Sequence, residues 1–96
     1  MTFALYSPLI ELVSLKLYLV TCDLLHPGDY ASFHMRLRTF EARQLLANQW
    51  ALRSTHTAGE LKNILRQFLD ENDRIVVSEV GAERASRRAL ADLTRL

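Results

Sequence analysis

Apolar positions follow two different periods in the first half of the chain. Residues 16–22 form a short run of apolar, aromatic and β-branched side chains that ends at Asp23 and the helix-breaking segment 26–29, which predicts a central strand. The next apolar residues are spaced by three, four and three positions, at Tyr30, Phe33, Leu37 and Phe40. This spacing predicts an amphipathic helix, with Asp29 as its N-terminal cap.

The middle and end of the chain continue this alternation. Residues 43–47 and 50–53 predict either two short strands joined by a tight turn or one bent strand. Thr57 and Glu60 have the spacing of a capping box, so a second helix is expected there. Residues 75–80 predict the last strand. The spacing after Gly81 then predicts a C-terminal helix, with apolar positions at Ala82, Ala85, Ala89, Leu93 and Leu96.

The order strand, helix, strand, strand, helix, strand predicts an α+β fold of the ferredoxin-like βαββαβ type, followed by the extra C-terminal helix. Right-handed crossovers place both helices on one face of a four-stranded antiparallel sheet. We expect the other face, with Tyr18, Trp50 or their neighbours, to need a cover. A second subunit is the favoured cover, which predicts a homodimer, and the terminal segments are the alternative.

Composition limits the class of protein. The chain has 96 residues, of which 49% are hydrophobic and 24% are charged, which is typical of one globular domain. We assign residues 15–96 to this domain and residues 1–14 to an N-terminal extension. Because Pro8, Glu11 and Lys16 interrupt the apolar start of the chain, we expect neither a signal peptide nor a membrane span. The single cysteine, Cys22, excludes an internal disulfide and favours a cytoplasmic protein.

Charge gives a weaker indication of nucleic-acid binding. The net charge of +1 lacks the domain-wide basic excess that is usual in proteins binding nucleic acid nonspecifically. Two local basic groups are candidates for phosphate contacts with RNA or DNA, and each is otherwise an ordinary solvated surface. They comprise His34, Arg36 and Arg38 in the first helix, and Arg84, Arg87 and Arg88 near the C-terminus.

Asp23 is the candidate catalytic and metal-binding residue. It follows a buried strand directly, at a position where a carboxylate can meet Mg²⁺, which prefers oxygen ligands. The alternative is that Asp23 caps the following loop through backbone amides. A twofold dimer axis nearby would bring two copies of Asp23 together. The histidines have no zinc-ligand spacing, and we expect Cys22 to be a buried small side chain rather than a nucleophile.

Three segments resemble the small CRISPR-associated endoribonuclease family and its relatives around virulence-associated protein D. They are residues 17–24 (LYLVTCDL), 47–52 (ANQWAL) and 69–77 (LDENDRIVV), and the similarity extends over about residues 15–80. The resemblance implies a dimeric ferredoxin-like protein with a metal-dependent nuclease or nucleic-acid scaffolding role. It also implies that Asp23 is the metal-binding acid. The alternative is a noncatalytic protein-interaction or toxin–antitoxin accessory module.

Overall fold

The computed structural model describes residues 15–26 and 28–96, so the N-terminal extension assigned to residues 1–14 lies outside the described residues. The described elements follow one another in the order strand, helix, strand, strand, helix, strand, with a short 3₁₀ helix near the end. They are β1 (Lys16–Asp23), α1 (Ala31–Thr39), β2 (Arg43–Leu46), β3 (Gln49–Ser54), α2 (Ala58–Arg66), β4 (Arg74–Glu79) and the 3₁₀ helix (Leu93–Arg95).

The four strands form one antiparallel sheet in the order β2-β3-β1-β4. Strand β1 is central, and its Val20 lies opposite Trp50 of β3 on one side and Val77 of β4 on the other. Strands β2 and β3 form a hairpin, so residues 43–54 are two strands rather than one bent strand. This α+β arrangement is compatible with a ferredoxin-like fold.

The main core lies between the helices and one face of the sheet. Alternate residues of the strands point toward this face, because successive side chains of a strand point to opposite sides. Both helices contribute to the same core, so they cover the same face. Its buried members are Tyr18, Val20, Cys22, Tyr30, Phe33, Leu37, Trp50, Leu52, Leu61 and Leu65.

The second face of the sheet is lined by neighbours of Tyr18 and Trp50 rather than by these two residues. Tyr18 and Trp50 do not form an exposed patch on it, because both are buried beneath the helices. Leu17, Leu45 and Ala51 occupy this face instead, and Leu93 buries them together with Val80, Ala91 and Leu96. The C-terminal segment therefore covers this part of the sheet, which agrees with the alternative of a cover by the terminal segments, and the residues covered are neighbours of Tyr18 and Trp50.

The expected C-terminal α-helix is not formed. Residues 80–92 have no regular secondary structure, and the only helical turn in residues 80–96 is the 3₁₀ helix at Leu93–Arg95. The backbone hydrogen bonds explain the difference: Val80 N donates to Leu17 O at 2.8 Å and Leu90 N donates to Leu45 O at 2.8 Å. These amides bond to the sheet rather than to a preceding helical turn, so the segment follows the sheet.

The two helices begin differently. Thr57 and Glu60 form the predicted capping box: Glu60 N donates to Thr57 Oγ1 at 3.2 Å, and Thr57 N donates to Glu60 Oε1 at 2.8 Å. Asp29 does not cap α1. The N-cap residue is Tyr30, which makes no capping side-chain hydrogen bond, since its hydroxyl is directed into the loop described below. None of the helices in the described residues has the length and apolar character needed to cross a membrane.

Candidate functional site

Asp23 ends β1 at the edge of the sheet's second face. Its side chain is 58% exposed, and Asp23 Oδ2 lies 3.8 Å from Nη1 of Arg74, its neighbour on β4. The Arg74 side chain is even more exposed. Exposed ion pairs of this kind are weak, so Arg74 can be displaced from Asp23 at little cost. Because the carboxylate is also largely exposed, another ligand can reach it.

A second acid, Asp73, holds the loop that follows Asp23. Asp73 Oδ1 accepts hydrogen bonds from Leu25 N at 2.9 Å and from the Tyr30 hydroxyl at 2.8 Å, while Asp73 Oδ2 accepts one from Asp70 N at 2.8 Å. The Tyr30 oxygen in turn accepts a hydrogen bond from His26 N at 2.9 Å. One carboxylate therefore links the β1–α1 loop, the start of α1 and the turn before β4.

This network bears on the loop that follows Asp23. The backbone amide of Leu25 in that loop donates to Asp73 rather than to Asp23. Within residues 15–26 and 28–96, the ionic partner of Asp23 is the exposed Arg74. The Asp23 carboxylate is thus largely exposed, and a different acid, Asp73, holds the Leu25 amide.

The hydrogen bonds to Asp73 make stability depend on its charge. Partial desolvation raises the pKa of Asp73, but the Leu25 and Asp70 amides, the Tyr30 hydroxyl and nearby His26 lower it more, so the pKa is below the usual 3.8. A carboxyl group whose pKa is lowered by folding stabilises the folded protein at neutral pH. That contribution is lost as the pH falls through 3.8 toward the lower folded value.

We therefore expect Asp73→Asn to lower the free energy of unfolding most at neutral pH, with the difference from the wild type shrinking as the pH falls through 3.8. Urea unfolding at a series of pH values measures this. Asp29→Asn, which removes a charge from an exposed position in the same loop, is the control. A constant difference between Asp73→Asn and the wild type at all pH values would contradict the stabilising role of the ionised carboxylate.

Cys22 precedes Asp23 in the chain, and its thiol is buried and poorly reactive. Burial, and then the negative charges of Asp73 and Asp23, raise the pKa of the Cys22 thiol to about 12. Because the thiolate is the reactive form of cysteine, this thiol is poorly suited to act as a nucleophile. The prediction of a small core side chain is confirmed by its place in the main core.

A single chain offers few ligands for a metal ion. Within residues 15–26 and 28–96, no group of three or more histidine, cysteine, aspartate or glutamate side chains is arranged to hold one. His26 Nε2 lies 3.3 Å from Asp70 Oδ2, so this histidine is placed beside the loop network. In the part of the chain that the structure describes, Asp23 is thus the candidate metal ligand, and the acid Asp73 nearby accepts hydrogen bonds from backbone amides.

The structure separates the basic candidates of α1. His34 and Arg38 line the same side of the helix, next to Gln44 and Trp50. Arg36 lies elsewhere: its guanidinium carbon is 5.3 Å from the centre of the Phe40 ring, and it borders a surface with Met35 and Phe68. His34 also lines a depression with Asp23, so the structure brings His34 and Arg38 toward the candidate site and leaves Arg36 away from it.

The C-terminal basic group belongs to the other layer. Arg84 is half-buried, and its Nη1 donates to the carbonyls of Leu93 and Leu96 at 3.5 Å each. Arg87 and Arg88 are exposed in the same segment, which covers the second face of the sheet, whereas α1 covers the first. The two basic groups predicted from the sequence therefore do not form one surface.

Sequence reasoning missed Asp73, Tyr30 and Gln44 as residues of this region. The sequence pattern identifies Tyr30 only as an apolar position of the first helix and assigns no structural role to Asp73. The sequence contains both partners, a loop after a buried strand and an acidic turn before the last strand, but Leu25 and Asp73 are 48 positions apart. Only the antiparallel pairing of β1 with β4 brings them together.

The sequence matches no known protein-family model, and a search of curated proteins finds no match to it either. The similarity to CRISPR-associated endoribonucleases consequently stays a prediction from three short segments. The arrangement of Asp23, its loop and α1 provides the physical basis for a functional proposal.

Proposed function

We propose that this protein is a metal-dependent nuclease that acts on RNA or DNA as a homodimer, with Asp23 as the Mg²⁺ ligand, in the manner implied by its resemblance to CRISPR-associated endoribonucleases. The observation that carries the proposal is the availability of Asp23. This carboxylate is largely exposed at the end of the central strand, while Asp73 performs the loop-capping work beside it.

The donor set fits Mg²⁺ under one condition. Mg²⁺ usually keeps several of its waters and binds through one or two carboxylates, and each chain contributes Asp23. A twofold axis close to Asp23 would supply the second carboxylate from a partner subunit. When bound there, the ion would polarise a phosphate and activate a water molecule. The role of the protein chain is to hold the carboxylate at a rigid strand end.

The surroundings of Asp23 favour contact with a second copy. The C-terminal segment covers the opposite end of the second face, around Leu17 and Ala51. Next to Asp23, Arg74 and Val76 of β4 are exposed on the same face, and Val76 is a large apolar residue. This apolar position beside the candidate ligand supports an interface there, in place of the Tyr18 and Trp50 patch expected from the sequence.

The proposal predicts Mg²⁺-dependent cleavage of RNA or DNA that Asp23→Asn abolishes. We expect a loss of at least about 100-fold, because residues that merely support a metal ligand already contribute 10- to 100-fold to activity. Cleavage of labelled RNA and DNA is measured with Mg²⁺ and with a chelator. Asp29→Asn removes the same charge from an exposed loop position and should retain activity, and thermal melting verifies that both variants fold.

Undiminished cleavage by Asp23→Asn, or equal cleavage in the chelator, would refute the assignment of Asp23. Light scattering separately tests the proposal that two chains share one metal site, because a homodimer requires a mass of twice 11.0 kDa. A monomeric mass throughout the micromolar range would contradict it. Binding of nucleic acid without cleavage would favour the nucleic-acid scaffolding role over the nuclease, whereas neither binding nor cleavage would favour the noncatalytic protein-interaction module.

A further inference from the structure

A continuous groove runs along one side of α1 toward Asp23. One depression of about 440 Å³ is lined by Asp23, Tyr30 and His34, among others. A second, of about 500 Å³, is lined by His34, Arg38, Gln44 and Trp50, among others. The two share His34 and Ala47, which lie on opposite walls. They therefore adjoin between α1 and the β2–β3 hairpin.

The chemistry along this groove suits a phosphodiester chain. His34 and Arg38 are four residues apart, so they lie on one side of α1 about 6 Å apart along the helix axis. Both are exposed. Across the groove, Gln44 Nε2 donates to the Ala47 carbonyl at 3.2 Å, which fixes the amide on the hairpin side. A guanidinium and an amide are common donors to phosphate oxygens.

Aromatic packing makes the groove wall rigid. The ring centres of His34 and Trp50 are 5.7 Å apart, and those of Phe33 and Trp50 are 5.8 Å apart in an edge-to-face arrangement. Trp50 is 6% exposed, so it supports the wall from within, whereas His34 is exposed. A base lying in the groove would thus meet the imidazole of His34, and aromatic surfaces attract bases of any sequence.

We infer that this groove binds one strand of a nucleic acid, with a phosphate held by Arg38 and the strand directed past His34 to Asp23. The inference deepens the proposed function and rests on it for any chemistry at Asp23. A single strand is favoured over a duplex, because a duplex carries twice the charge density and is usually met by a broad basic surface. Here the arginines of the two basic groups are on opposite layers.

The chain provides a matched pair of arginines for the test. Arg38 is in the last turn of α1 and Arg66 is in the last turn of α2, and both are exposed. Arg38→Gln and Arg66→Gln therefore remove the same charge from equivalent helix positions. Arg66 lines a different depression, with Lys62 and Asp70, so only Arg38→Gln changes the groove.

The test is binding of a fluorescein-labelled single strand of mixed sequence, measured by anisotropy in a metal chelator at several salt concentrations. We expect Arg38→Gln to weaken binding about tenfold, the usual effect of losing a hydrogen bond to a charged group. The slope of log K against log salt should fall by about 0.7, the value for one phosphate contact with a single strand. Arg66→Gln should match the wild type, and the annealed duplex should bind more weakly.

Several results would contradict binding of a single strand in this groove. They are no binding by the wild type, equal effects of the two arginine substitutions, an unchanged salt slope, or tighter binding of the duplex. Full displacement of the labelled strand by polyglutamate at equal charge concentration would also contradict it, because the groove would then bind any polyanion. Asp23→Asn separates this inference from the proposed nuclease. Binding that depends on Arg38 without any cleavage supports the groove and rejects the nuclease. Cleavage that depends on Asp23, together with binding that does not depend on Arg38, supports the nuclease and rejects the groove.

Discussion

Phe33→Ala is expected to lower the free energy of unfolding by about 4 kcal/mol, within the range found for removing a fully buried phenylalanine. Phe33 is 0% exposed and lies in the first turn of α1. Its ring packs edge-to-face on Trp50 of the central part of the sheet, with 5.8 Å between the ring centres. Deleting the ring removes this contact and leaves a cavity between α1 and β3.

Urea unfolding, followed by tryptophan fluorescence, measures the loss. The midpoint should fall while the dependence of free energy on urea stays the same, because the surface exposed on unfolding is nearly unchanged. Met35→Ala is the control on the same helix, since Met35 is 61% exposed. Similar losses for the two variants would show that α1 is not anchored through Phe33.

The position of Phe33 also ties stability to the candidate site. The helix that Phe33 anchors carries His34 and Arg38 on its accessible side, and His34 follows Phe33 directly. A groove wall that is held by a buried ring keeps its polar groups in fixed positions without ligand, which reduces the entropy lost on binding. Packing of Phe33 on Trp50 therefore positions the side of α1 that carries His34 and Arg38.

Local sequence patterns predicted most of the regular elements. The helical spacing of Phe33 and Leu37, and the capping box at Thr57 and Glu60, correspond to α1 and α2. These features are encoded within a few residues of each other, so no knowledge of the tertiary structure is needed. The strand at residues 16–22 was predictable for the same reason, whereas the pattern of residues 43–53 left open a hairpin or one bent strand, and the structure shows the hairpin.

The faces of the sheet were not predictable in the same way. Strand β1 has apolar residues on both faces: Leu17 and Leu19 on one, Tyr18 and Val20 on the other. A one-residue alternation identifies the core face only when the other face is polar. Because nothing in the local pattern distinguishes the two sets, the sequence could only place either Tyr18 and Trp50 or their neighbours on the outer face, and the neighbours Leu17 and Ala51 lie there.

The prediction of a C-terminal helix was wrong, and the role of Asp73 was not predicted, for a related reason. Spacing of small alanines at residues 82–89 suits a helix, but the amides of Val80 and Leu90 bond to the sheet instead. Asp73 stabilises a loop that is distant in sequence. Both depend on partners that are far away along the chain, so a pattern of neighbouring residues contains no information about them.

Leu93→Asn is expected to destabilise the protein by about 3 kcal/mol, since it removes a buried leucine contact and buries an amide without a prepared partner. Leu93 is 8% exposed and packs with Leu17, Leu45 and Ala51. An amide is preferable to a carboxylate here, because Arg84 lies beside the Leu93 carbonyl and would pair with a new negative charge.

Leu90→Asn is the matched control, because Leu90 belongs to the same segment but is 68% exposed. Urea unfolding gives the stability of both variants, and binding of a hydrophobic dye reports whether Leu17, Leu45 and Ala51 become accessible. Dye binding and lost stability in Leu93→Asn alone would establish the C-terminal segment as the cover of the second face. Equal behaviour of the two variants would mean that Leu93 does not hold that segment on the sheet, and the case for a second subunit over this face would return.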